Sequence, residues 1–253
     1  MTRIPAALAV LAAFTATPVA AQTVTVVEEW VVVETSASRY VSPLQQQAEQ
    51  KAIAAYGPFR VIDASTVALV GITDAASPAQ FAAMLAAFPA IDTLEFVEAP
   101  GTHDDRANLT LGRMIRERGI ATRAGEGGSV RSGAVELFIA GTERQIAPES
   151  QFAVHGWLDD WGRGAEDYPP DAPEHRRYLD YYVEMGMNES QARDFYAMTN
   201  SVPFEDALWL TGREMREWVG PVSLGMSQGA SVAGESEASV RMLAYLDFEP
   251  VLQ

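Results

Sequence analysis

Ser132 stands where the glycine-rich run Gly125-Glu-Gly-Gly-Ser129 gives way to the apolar segment Ala134-Val-Glu-Leu-Phe-Ile-Ala140. His155 follows 23 residues later, at the end of Gln151-Phe-Ala-Val-His155. A serine at a loop-to-helix junction and a histidine at a strand end could supply parts of an acyl-transfer site. Such a site needs a nucleophile, a general base, and backbone N–H groups placed to receive the oxyanion. Gly133 would offer one of those N–H groups at the positive end of the helix, and lacks a side chain that would block approach. Both residues also have plainer readings. Serine is a favoured helix N-cap, and Ser129 would cap as well as Ser132. A strand-end histidine also commonly bonds a backbone carbonyl.

The other reactive side chains narrow the choice. His103 lies in the turn Ala99-Pro-Gly-Thr-His-Asp-Asp105, which reads either as a solvated turn or as a ligand or second base beside Asp104 and Asp105. His175, in Pro-Glu-His-Arg-Arg, is expected on the surface of a first helical turn. These are the only histidines, and no HExxH pattern links them, so zinc chemistry has no recognisable frame. There is no cysteine, which excludes thiol catalysis, disulfides and thiolate metal sites. The sole lysine, Lys51, lies far upstream of Ser132, so a serine/lysine dyad has no partner. Trp157, Trp161 and Trp209 read as core or lid packing near His155. Asn108-Leu-Thr and Asn188-Glu-Ser match the glycosylation triplet, but helix capping or exposed polarity explains both better.

Several elements must position these groups. Ser42 to Ala55 reads as a short polar helix. Thr66-Val-Ala-Leu-Val-Gly-Ile72 reads as a buried strand. Ser77-Pro-Ala-Gln80 then has the form of a capping box, with Ser77 as cap. Phe81, Met84, Leu85 and Phe88 recur at helical spacing, Thr93 to Val97 reads as a strand, and Leu111, Met114 and Ile115 share one face of a helix that Gly119 stops. Strand alternating with helix predicts parallel βαβ units with functional loops at the carboxyl ends of the strands. Ile120 to Arg123 is a further strand, and the segment from Ser129 is expected to become the next helix. Residues 157 to 172 read as a loop or lid. Helices follow around Tyr178 to Met185, from Asn188 with Gln191 as its box partner, and from Thr211 with Glu214.

The chain of 253 residues is 48% hydrophobic, enough for one sizeable core. Residues 1–21 have the form of an export signal: Arg3, an apolar run from Ile4, and the small-residue site Val19-Ala20-Ala21. A periplasmic or secreted protein cleaved near Ala21 is expected. Its net charge of −16 argues against a nucleic-acid partner, which requires a basic surface.

With these residues in place, the chain resembles the Clp-type serine peptidases and the wider Clp/crotonase superfamily, within it an exported bacterial branch. The helix Leu111-Gly-Arg-Met-Ile-Arg-Glu-Arg-Gly119 is similar to the branch's Leu-Gly-Arg-x-Ile-Arg-x-Arg-Gly. Ser132-Gly-Ala, Gly141, Ala147-Pro-Glu-Ser150 and Phe152-Ala-Val-His155 follow in the superfamily's order. The likeness runs from about Phe59 to Val222. It implies an α/β fold, a Clp/crotonase-like spiral of ββα units with added C-terminal helices. The division it suggests is a signal peptide at 1–21, a strand and polar helix at 22–58, the core domain at 59–222, and a tail at 223–253.

It further implies Ser132 as nucleophile, His155 as general base, and the N–H groups of Gly101 and Gly133 as oxyanion hole. The third residue would be Asp206, with Glu205 and Asn200 as alternatives. One departure is plain: the branch has Pro-Gly-Gly-Ser where this chain has Pro100-Gly-Thr-His, so a β-branched threonine replaces the second glycine. The activity implied is that of an exported serine hydrolase, peptidase or esterase-like, without cofactor, acting on a peptide or small acyl substrate. The competing class is an inactive scaffold that binds an envelope protein. A coenzyme-A-using crotonase would lack its cofactor outside the cell. The resemblance also implies homo-oligomers, as trimers or rings.

Overall fold

A computed structural model describes residues 42–220. The expected signal segment 1–21, the strand expected ahead of the polar helix and the tail at 223–253 lie outside the described residues. Helix α1 (Pro43–Lys51) is capped by Ser42, whose Oγ accepts from the Gln45 N–H at 3.1 Å. Strands β1 (Ala54–Tyr56), β2 (Phe59–Val61) and β3 (Thr66–Leu69) form an antiparallel meander. Helix α2 (Ser77–Ala87) buries Phe81, Met84 and Leu85, the face its spacing predicts. Its cap differs from expectation. Ala76 is the N-cap, and the Ser77 hydroxyl instead bonds Asp74 Oδ1 at 3.0 Å in the preceding turn.

Beyond α2 the chain repeats one pattern, in which a strand in each of two sheets is followed by a helix. Strands β4 (Thr93–Phe96) and β5 (Glu98–Ala99) lead to α3 (Asp105–Glu117), and β6 (Ala121–Ala124) and β7 (Ser129–Arg131) lead to α4 (Ala134–Ile139). Strands β8 (Arg144–Ile146) and β9 (Gln151–Val154) begin a third unit, completed after a long loop by α5 (Pro173–Glu184). The six-stranded sheet has the order β1-β2-β3-β4-β6-β8 and the four-stranded sheet β10-β9-β7-β5, where β10 is Leu208–Thr211. All pairings among β3, β4, β6 and β8, and among β5, β7 and β9, are parallel. This is a mixed α/β architecture of successive ββα units, with added helices α6 (Glu189–Thr199) and α7 (Gly212–Val219).

The two sheets meet over α4, where the Phe138 ring makes edge contacts with Phe96 at 5.4 Å and Phe152 at 5.1 Å. All three rings are fully buried, and each is worth roughly 2 to 3 kcal/mol in removal from water. Arg144 ties the added helices on: its guanidinium donates to Val219 O at 3.0 Å and Met185 O at 2.6 Å. The capping boxes expected at Asn188 and Thr211 are both formed.

Two expectations fail for a shared reason, the burial of polar groups by elements distant in sequence. The segment opening at Ser129 is strand β7, not the start of a helix, because β5 and β9 pair with it on either side. His175 is buried, since α6 brings Tyr196 Oη to 2.8 Å from its Nδ1.

Candidate active site

Ser132 occupies the single step between β7 and α4. Its φ is +50°, and it is the only non-glycine residue with positive φ among the described residues. A left-handed serine costs of order 1 kcal/mol and needs surroundings that enforce it. The enforcement is visible. The Ser132 N–H donates to Ala153 O on β9 at 2.8 Å, and its carbonyl accepts from Val135 N–H at 2.8 Å in the first turn of α4. Gly133, not either serine, is the N-cap of α4. Ser129 lies inside β7 with its Oγ buried and unpartnered. The cap reading therefore fails for both serines.

The Gly101 turn packs directly on Ser132. Gly101 has φ +130°, and a Cβ built there would lie 2.9 Å from Ser132 Cβ and 3.3 Å from its Oγ. Both the dihedral and the contact require glycine. The turn is fastened to Thr73 by a parallel bridge: Thr73 N–H donates to Gly101 O at 3.0 Å, and His103 N–H to Thr73 O at 2.8 Å. Thr102, which replaces the second glycine, points its hydroxyl at Thr73 O at 3.2 Å, and its methyl packs on Gly133 at 2.6 Å from where a Cβ would stand. The N–H groups of Gly101, Thr102 and Gly133 have no acceptor among the described residues.

Asn108 on α3 joins the two halves of this arrangement. It is buried, its Nδ2 donates to Gly133 O at 2.6 Å, and its Oδ1 accepts from Thr73 Oγ1 at 3.0 Å. The helix-capping and exposed-polarity readings of Asn108 are thus corrected, since Asp104 is the cap of α3 and Asn108 is buried. Its spacing before Leu111 and Ile115 places it on the buried face of α3, a signal present in the sequence.

His155 follows β9, whose register beside β7 brings it to the same cavity as Ser132. Its Nδ1 lies 2.9 Å from Gly156 O. A carbonyl only accepts, so in the neutral ring Nδ1 carries the proton and Nε2 holds the lone pair a base requires. No hydrogen bond joins Ser132 Oγ to His155 among the described residues. Phe204 covers the imidazole edge-on at 4.8 Å, and Gly156 N–H donates to Val202 O at 2.8 Å, so the segment 200–204 braces the histidine.

Within that segment Asn200 lines the cavity, and its Oδ1 is buried without a partner. A Cβ on Gly156 would lie 3.6 Å from that oxygen. Asp206 and Glu205 are exposed and do not line the cavity, so the structure does not bring them to Ser132 and His155. His103 is exposed at the rim of the cavity. Trp157 and Trp161 line the cavity, whereas Trp209 faces out from β10.

The cavity measures about 530 Å³ and is lined by Ser132 and by residues of α3, α4, α5 and α6. The loop 157–168 roofs it, held by Asp159, which accepts from the N–H groups of Trp161 at 2.9 Å and Arg163 at 2.8 Å and from Tyr168 Oη. Burial works against the charge on Asp159, but these bonds and the Arg163 guanidinium prevail and hold its carboxyl below the usual range. No group of three or more metal-ligating side chains occurs among the described residues.

No protein-family model and no curated protein matches the chain. Among solved structures it is similar to the membrane-bound stomatin-specific protease 1510-N in complex with a substrate peptide, at 17% identity and TM-score 0.42, over 62% of this chain and 71% of that one. Another variant of that protease matches at 17% identity and TM-score 0.41, over 62% and 75% of the respective chains. A variant of ClpP1 from Listeria monocytogenes matches at 15% identity and TM-score 0.45, over 62% of this chain and 88% of that one.

Proposed function

We propose that the protein is a serine hydrolase, of peptidase or esterase type, that works outside the cytoplasm after removal of residues 1–21. One observation carries the reading: a strained Ser132 pressed between the Gly101 turn and Gly133, opening on a cavity it shares with His155. In the proposed mechanism His155 Nε2 takes the Ser132 proton as Oγ attacks the substrate carbonyl. The oxyanion forms against the N–H of Gly133 and of the Gly101–Thr102 turn. His155 then protonates the leaving group, and water hydrolyses the acyl-enzyme by the reverse path. Asn200 is the orienting residue in this scheme. A ring rotation that carried the Nδ1 proton from Gly156 O to Asn200 Oδ1 would give that buried, unpaired oxygen a donor.

A fluorophosphonate probe on the mature protein tests the reading. Labelling that is lost in Ser132→Ala supports it, and a folded wild-type protein that takes no label refutes it. With label in hand, Asn200→Ala should slow labelling at least tenfold while Asp206→Ala leaves it unchanged. N-terminal sequencing of the envelope fraction should start near Gln22.

A second reading, a scaffold without chemistry, is favoured by the missing Ser132–His155 hydrogen bond. It predicts an envelope protein partner that binds wild type and Ser132→Ala alike, with neither form taking label.

A further inference from the structure

We propose that the part of the cavity lined by Glu136 is a recognition pocket for a cationic substrate side chain, an arginine guanidinium or lysine ammonium, with Glu136 as the carboxylate that receives it. This rests on the reading of Ser132 as nucleophile, because the pocket is placed to take the side chain next to the attacked carbonyl.

Glu136 is four residues after Ser132, on the short helix α4 that begins just beyond the serine. Every other residue of α4, from Ala134 to Ile139, is buried, and Glu136 alone keeps accessible surface, which opens on the cavity. Its Oε1 accepts from Tyr182 Oη at 2.9 Å. Across the cavity Asp105 Oδ2 accepts from Tyr178 Oη at 2.7 Å. Neither carboxylate has an arginine or lysine within ion-pair distance among the described residues. Enclosed carboxylates are normally paired, because an uncompensated charge away from water is costly.

The walls suit a cation as well. Trp157 stacks on Tyr178 at 6.0 Å, and Tyr178 lies beside Tyr196 at 6.1 Å, so aromatic side chains line the space beneath the loop. This protein already uses such rings for guanidinium groups: Arg177 lies over Tyr178 at 5.4 Å and Arg163 over Tyr168 at 4.8 Å. A hydrophobic specificity pocket would not place a glutamate in the middle of Ala-Val-Glu-Leu-Phe-Ile.

The charged and titratable groups that act on Glu136 are Asp105 from α3 and Tyr178, Tyr181 and Tyr182 from α5, while Arg177 from α5 and Tyr196 from α6 line the same cavity. Burial raises all four tyrosine phenols, so they remain donors throughout the neutral range. Burial also pushes the Glu136 carboxyl up to about 7, against the pull of its own N–H and Tyr182 and with a push from Asp105. An entering cation favours the ionised form. Its binding should therefore strengthen as pH rises through 7 and release protons.

The test uses Ser132→Ala, which binds without turnover, and calorimetry with N-acetyl-argininamide and the neutral N-acetyl-norleucinamide at pH 6 and pH 8. The expected result is at least a tenfold preference for the arginine compound at pH 8, reduced severalfold at pH 6, with net proton release. Glu136→Gln in the same background should abolish both the preference and the release. Equal affinity for the two compounds, or a preference that does not change with pH, overturns the proposal even if Glu136→Gln fails to fold. A preference retained in a folded Glu136→Gln overturns it too. The two readings fail separately: fluorophosphonate labelling without cation preference removes the pocket and leaves the hydrolase, and cation preference without labelling does the reverse.

Discussion

At Ser132, stability and chemistry pull in opposite directions. Its positive φ is a conformation that glycine adopts freely and alanine does not. Ser132→Gly should therefore melt above Ser132→Ala by an amount equivalent to about 1 kcal/mol, with both variants silent to the fluorophosphonate probe. Thermal denaturation of the two side by side checks this, and equal melting points would mean that the strain is not real. Glu136 makes a pH-dependent contribution of defined sign. Its folded-state carboxyl is raised from 4.5 to about 7, so between those values the native protein binds more protons than the unfolded chain. Unfolding free energy should then fall as pH rises through that window, by about 3 kcal/mol. In Glu136→Gln that slope should flatten, as urea titrations at pH 5 and pH 7.5 would reveal.

Among the elements, α3 does the most to build the site. It carries Asp104 as its N-cap, Asp105 at the cavity, and Asn108 between Thr73 and the Gly133 carbonyl. Asn108→Ala would leave the Gly133 carbonyl and the Thr73 hydroxyl without their partner, at a cost of about 1 to 3 kcal/mol. It should also slow fluorophosphonate labelling, because Gly133 would no longer be held against Thr102. Both effects can be read from one protein preparation by a melt and a labelling time course. Helices α2 and α3 were legible from apolar spacing, and α6 and α7 from their capping boxes, because those signals act within one or two turns. Strand β7 was not, since three residues become a strand only when β5 and β9 flank them. His175 was misread for a similar reason, its burial depending on a tyrosine from α6.

Across the whole molecule, the net charge of −16 repels itself in the folded state, so added salt should raise the melting temperature by a few degrees through screening. Differential scanning fluorimetry from low salt to 0.5 M sodium chloride measures this, and a melting point that falls with salt would count against it. The sequence alone determined the α/β alternation, the exclusion of thiol and lysine chemistry, and the pairing of Ser132 with His155 as candidates. These follow from local periodicity, from composition, and from the few residue types able to do the work. Only the tertiary structure decided that Ser132 is no cap, that Asn200 rather than Asp206 lines the cavity with the histidine, and that Glu136 opens on it. Each of those depends on which segments from distant parts of the chain pack together, and that is settled by burial and by pairing of backbone groups across two sheets rather than by any local pattern.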